Sequence, residues 1–179
     1  VKVPDFKLLE DAVAPRILDA ARAASKALTA AGIRHVLIGG LAVGAWGYIR
    51  ATKDADFLVG PEAFEQHAGG IVTFKPGVPI EIGGVPVDLL MVDRVGELDM
   101  DQEDPLKSRG IPIVDIELLV YLKLVAFRRR DKEDVVALLK AGHNDREIRT
   151  FLENTRSFWA GSHDLLDRFE ELVRFADED

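Results

Sequence analysis

A short apolar run, His35-Val36-Leu37-Ile38, stops at a glycine pair, Gly39-Gly40, and gives way from Leu41 to Tyr48 to residues of helical composition. A strand that passes through glycines straight into a helix predicts a mixed α/β packing, in which each element buries its apolar face on the other. Thirteen residues beyond Gly40 comes Asp54-Ala55-Asp56-Phe57-Leu58-Val59. Its first half is polar at alternate positions, which predicts a second strand closed by Gly60-Pro61.

The rest of the chain fits around these two strands. Val13, Ile17, Ala21, Ala24 and Leu28 recur at three- and four-residue steps, predicting an amphipathic helix from about Leu8 to Ala31 that Gly32 ends and Pro15 either breaks or starts late. A short helix is expected around Glu62 to His67, and strands over Ile71 to Phe74, Pro79 to Ile82 and Val85 to Val92. Gly83-Gly84 has the composition of a two-residue hairpin turn, and Asp88 falls inside the strand that follows it. A polar loop is expected over Glu97 to Gly110. Asp115 then reads as the N-cap of a helix from Ile116 to about Arg129, which Asp131 to Lys140 continues or restarts and Gly142 stops. Asn144 to Thr155 and Ser162 to Phe175 predict two further helices. The expected organisation is an α/β core over residues 1–112, with a short mixed sheet flanked by helices, and a C-terminal helical region over 113–179 packed on it.

Composition narrows the chemistry. Lys+Arg 23 against Asp+Glu 31 gives a formal net charge of -8, which disfavours indiscriminate coating of nucleic acid or of an anionic membrane. Cys 0 removes disulfides, thiolate nucleophiles and cysteine zinc sites, and His 4 leaves little for a histidine-rich metal centre. No apolar run spans a bilayer, and Asp5, Glu10 and Asp11 interrupt any signal core, so a cytoplasmic protein with no membrane partner is expected.

Asp54 and Asp56 are the chemistry-bearing pair. Residues two apart on a strand face the same way with Cα atoms about 6.7 Å apart, so both carboxylates can converge on hard cations such as Mg²⁺. Gly39-Gly40 at a strand-to-helix junction lets a phosphate approach the backbone closely. Read singly, the aspartates also fit residues that flank a turn and the glycines a tight connection; it is their spacing in combination that points to phosphoryl chemistry.

Ile38-Gly39-Gly40, thirteen residues, then Asp54-Ala55-Asp56-Phe57 resembles the signature of the nucleotidyltransferase superfamily, to which DNA polymerase beta and the aminoglycoside nucleotidyltransferases belong. Arg50-Ala51-Thr52-Lys53 before the aspartates, Lys123, and the run Arg128 to Asp134 are similar to the branch containing AbiEii-type and MenT-like toxins. The resemblance implies a nucleotidyltransferase core. It also implies a third carboxylate on a later strand, for which Asp88 is placed and Asp93 is the alternative.

By that resemblance Asp54, Asp56 and Asp88 hold two Mg²⁺ ions, with Mn²⁺ as the alternative metal. Gly39, Gly40, Arg50, Thr52 and Lys123 contact a nucleoside triphosphate, and Asp88 receives the proton of an attacking hydroxyl. The implied reaction transfers a nucleoside monophosphate to a hydroxyl on tRNA, a protein or a small molecule, in the setting of a toxin and its cognate antitoxin. A fold retained for binding, without turnover, is the reading from another class.

Several residues keep two readings at this level. Lys123 is the only charge between Leu118 and Phe127 on a helix apolar nearly all round, so it is expected to be buried and partnered by a triphosphate or by an aspartate. Arg50 and Thr52 either reach phosphate and brace the metal ligands or lie solvated before the strand. Arg128-Arg129-Arg130 with Lys132 either guide a polyanion or complement a helix end. Asp131 and Asp134 read as salt-bridge partners of that run. Arg156 and His163 weakly resemble the Arg-x-His motif of HEPN ribonucleases, and Trp46 and Trp159 read as packing residues.

Overall fold

The structure, a computed structural model, describes residues 2–91, 110–155 and 163–178. Its first long helix, α1 (Pro15–Ala30), starts later than the periodicity alone predicts. Proline has no N–H to give an interior hydrogen bond and is at home at the first helical position. The preceding Phe6–Leu9 forms a separate 3-10 turn, with the Asp5 carboxylate accepting from the Lys7 N–H at 3.0 Å. Ile17, Ala21, Ala24 and Leu28 make the buried stripe of α1.

β1 (His35–Ile38) is buried at all four positions. It runs into α2 (Gly39–Ala45), which starts on the glycine pair itself and ends before Tyr48, because Gly47 turns the chain at φ 110. β2 (Ala55–Val59) lies antiparallel to β1 and parallel to β6 (Val85–Leu90), while β5 (Glu81–Ile82) completes the order β1-β2-β6-β5. Gly83 and Gly84, at φ 57 and 75, form the β5–β6 turn; both central residues need positive φ there, which glycine adopts without a Cβ clash. The free edge of β1 is covered by the chain around Ile113. Leu37 N–H donates to the Pro112 carbonyl at 2.7 Å, and Val114 N–H to the Leu37 carbonyl at 3.0 Å.

One expected helix is absent. Pro61–Ala63 makes a 3-10 turn, and the residues after it form β3 (Phe64–Gln66), antiparallel to β4 (Val72–Phe74). The Phe64 and Phe74 rings meet across this hairpin at 5.2 Å, a cross-strand contact that a helix would forfeit. Val92, Asp93 and the polar stretch from Glu97 to Arg109 lie outside the described residues.

The C-terminal region is α3 (Ile116–Ala126), α4 (Arg129–Lys140), α5 (Asp145–Thr155) and α6 (His163–Asp177). Asp115 takes the N-cap position of α3 without a side-chain capping bond. Phe127 adopts a left-handed φ of 47, which ends α3 and lets α4 restart rather than continue it. The Phe127 ring carries Lys132 at 4.1 Å and the Arg168 guanidinium at 4.6 Å, cation–π contacts that hold the corner. Among the described residues, no helix is long and apolar enough to cross a membrane.

Candidate active site

Parallel pairing of β2 with β6 sets Asp56 opposite Asp88, and Asp54 immediately precedes β2. One carboxylate oxygen from each of Asp54, Asp56 and Asp88 lies within 4.8 Å of the other two. Asp54 and Asp56 are half-buried and Asp88 is exposed. The trio is therefore open to solvent on one flank and walled on the other.

The glycine pair fits against these side chains. Gly39 holds φ 68, and a Cβ there would collide with the Asp56 carboxylate. The Gly40 N–H donates to Asp56. A Cβ at Gly40 would press on Thr52 Oγ1 at 3.0 Å and Arg50 Nη1 at 3.1 Å. The close approach that the glycines permit is thus made by Asp56, Thr52 and Arg50. Thr52 Oγ1 in turn donates to Asp54 Oδ1 at 3.0 Å, fixing one carboxylate of the trio.

Burial pushes the Asp56 carboxyl up to about 7, and repulsion from Asp54 and Asp88 adds to it, while Lys123 and the Gly40 N–H oppose the rise. Three hard oxygens held this close, one of them reluctant to ionise, carry uncompensated negative charge. That is the donor chemistry a hard divalent cation satisfies, so the three residues can hold a metal ion.

Behind the trio lies a buried ion network. Asp134 is fully buried; it accepts from Arg50 Nε at 2.6 Å and Nη2 at 2.8 Å, and it pairs with Lys123 Nζ at 2.8 Å. Lys123 also donates to Asp131 Oδ1 at 3.0 Å, and Arg128 Nε to Asp131 Oδ2 at 2.8 Å. Burial alone would raise Asp131, but the Arg128 and Lys123 hydrogen bonds outweigh it and hold the carboxyl below its ordinary value. The Asp134 hydrogen bond raises Arg50.

Of the two partners that the sequence leaves open for Lys123, the structure supplies aspartates, both from α4. Arg128 caps α4, and Arg129 and Arg130 open it rather than ending a helix. Those two therefore oppose the helix dipole, while Asp131, the acid of the first turn, pairs with Arg128. Arg129 pairs with Glu133 at 3.1 Å on the exposed face.

A cavity of about 800 Å³ opens over the trio. Its lining includes Leu89, Leu119 and Leu122 as apolar surface and Lys53, Lys123 and Arg130 as positive charge, together with the glycines, Arg50, Thr52 and the three aspartates. Asp54, Asp56, Asp88, Lys123, Gly39, Gly40, Arg50 and Thr52 thus all line one space. The role of Asp134 in joining Arg50 to Lys123 has no local signal, because 84 residues separate the arginine from the aspartate. Arg156, Trp159 and the alternative Asp93 lie outside the described residues.

No family model matches the sequence, and no curated protein matches it. Among solved structures, it is similar to one described as an antigenic nucleotidyltransferase-like protein from Paracoccidioides brasiliensis. The two are 15% identical over 88% of this chain and 95% of that chain, with a TM-score of 0.39.

Proposed function

We propose that this chain is a metal-dependent nucleotidyltransferase that moves a nucleoside monophosphate from a nucleoside triphosphate to a hydroxyl acceptor. One observation carries the reading: Asp54, Asp56 and Asp88 converge within 4.8 Å at a cavity that also holds Gly39-Gly40 and Lys123. The three carboxylates are the residues that would hold Mg²⁺, as two ions, or Mn²⁺ in its place. When bound, the metal supplies Lewis-acid stabilisation of charge on the phosphoryl oxygens.

The protein's own groups do the rest. Asp88, the exposed member of the trio, takes the proton of the acceptor hydroxyl as that oxygen bonds to the α-phosphorus. The bond from the α-phosphorus to the bridging oxygen breaks, and pyrophosphate leaves with the electron pair. Lys123, held by Asp131 and Asp134, forms part of the cavity wall beside the carboxylates. Thr52 holds Asp54, and Gly40 holds Asp56, in their converged positions.

The test is pyrophosphate release and label transfer from each of the four triphosphates, with and without Mg²⁺. Asp54→Ala and Asp56→Ala are expected to lose transfer while keeping a cooperative melt. Full activity in either overturns the site. The stretch Arg50 to Asp56 is the ground for placing the chain in the AbiEii/MenT-like branch, with a tRNA 3' end or a protein as acceptor and a toxin's role. Growth arrest on induction that requires Asp54 tests that finer reading, and arrest unaffected by Asp54→Ala removes it.

A further inference from the structure

The charges around the cavity divide into two sets. Arg50 and Lys123 are held by Asp134 and Asp131, and Arg128 by Asp131, so three of the five cations on its wall are already matched by buried or capping carboxylates. Lys53 and Arg130 also line the cavity, both exposed, and neither has an ion-pair or hydrogen-bond partner among the described residues. Lys53 immediately precedes Asp54, and Arg130 stands in the first turn of α4.

Unpaired cations beside a cluster of three carboxylates would ordinarily close onto it and neutralise it. Here Lys53 and Arg130 line the same cavity as the trio yet pair with none of its members, and both stay exposed. A wall that keeps an anionic cluster and two free cations apart within one space of about 800 Å³ is suited to a ligand carrying both a cation and a polyanion.

We infer that Lys53 and Arg130, which the sequence reading leaves out of the site, grip the outer phosphates of a polyphosphate ligand, while Lys123 and Arg50 serve as an internally neutralised floor. This deepens the nucleotidyltransferase reading and rests on it for the identity of the ligand as a triphosphate. Arg130 brings a planar fork of N–H donors to phosphate oxygens, and Lys53 a mobile point charge. Both remain solvated without ligand, so neither carries a burial cost before the polyanion arrives.

The probe is inorganic tripolyphosphate, titrated calorimetrically in the presence of Mg²⁺ into wild type, Lys53→Gln, Arg130→Gln, the double variant and Arg129→Gln. Arg129 belongs to the same arginine run but pairs with Glu133 and is 93% exposed, so it controls for bulk charge. Each single change at Lys53 or Arg130 is expected to weaken binding about tenfold and the double change more, as loss of a charge-assisted contact does, with Arg129→Gln within about twofold. All three positions changed are exposed, so melting temperatures should stay put and confirm folding.

Unchanged affinity in the double variant, equal loss in Arg129→Gln, or no tripolyphosphate binding by wild type overturns the inference. Nucleotide transfer assays on the same proteins separate it from the parent reading. Tripolyphosphate binding that needs Lys53 and Arg130, without transfer to any acceptor, keeps the grip and removes the enzyme. Transfer that needs Asp54 but shows an unaltered KM for the triphosphate in the double variant keeps the enzyme and removes the grip.

Discussion

Replacing Asp56 with asparagine should stabilise the metal-free protein, and more so as the pH rises. The carboxyl goes from an ordinary 3.8 to about 7 in the folded chain, mainly through burial and then through Asp54 and Asp88. Below pH 4 both folded and unfolded forms carry the proton, and the group contributes nothing. Between pH 4 and 7 the folded form retains a proton that the unfolded form has released, so stability falls as pH rises, and above 7 the loss is complete.

At 1.36 kcal/mol for each tenfold change in proton affinity, the full penalty is ~4 kcal/mol, and local relaxation trims it. Asparagine keeps an oxygen for the Gly40 N–H and cannot ionise. The stability gap between Asp56→Asn and wild type should therefore widen by roughly 2–3 kcal/mol between pH 4.5 and 8. For a chain of this length that is a shift of roughly 5–10 °C in relative melting temperature, read by circular dichroism in a chelating buffer. A gap that stays constant with pH, or one that narrows toward pH 8, would refute the argument that Asp56 is held against its own ionisation.

Other outcomes follow from the same geometry. Millimolar Mg²⁺ or Mn²⁺ should raise the melting temperature of wild type at pH 8, by an amount equivalent to about 2.7 kcal/mol at a hundred times the dissociation constant, and leave Asp54→Ala unmoved; equal shifts in both would place the metal elsewhere. Asp134→Asn should destabilise by about 3–5 kcal/mol in urea titrations, because it leaves Lys123 and Arg50 sharing too little negative charge in a buried place; a loss under 1 kcal/mol would show the network to be dispensable. Gly39→Ala should cost about 2–4 kcal/mol, since its added methyl meets the Asp56 carboxylate at a left-handed φ. Gly32→Ala, with φ 70 but open space around it, should cost only about 1 kcal/mol, and denaturant midpoints that rank the two the other way would contradict the packing.

Much of the core was legible because its signals are local. The run His35 to Ile38, the hairpin glycines Gly83-Gly84 and the alternation at Asp54 to Val59 each name an element within a few residues. Pro15 carried its information too, and only the choice between a broken helix and a late start waited on the structure. The helix expected at Glu62 to His67 failed because Phe64 finds Phe74 across a hairpin, a contact ten residues away that no short window contains. Phe127 was equally opaque: nothing in an apolar run announces a left-handed turn at a phenylalanine, and the cations that hold it come from α4 and α6. At the site, residue types and spacing named the side chains that line the cavity. They did not reveal which cations are spent internally, because that depends on Asp131 and Asp134 folding back from a helix more than seventy residues past the Asp54-Asp56 pair.

The Arg50–Asp134 pair has a consequence for how this chain can be divided. A cut anywhere between Leu90 and Ile113 would leave the Arg50 guanidinium on one fragment and the carboxylate that pairs with it among the described residues, Asp134, on the other. The later fragment keeps Lys123 beside Asp134, but the earlier one is left with the Arg50 charge and no acid to close over it, so it should fold poorly alone and recover when the two are mixed. The helices after Ile113 are in that sense half of a lock, and a helical module borrowed from elsewhere would fit this sheet only if it brought an acid to the same place.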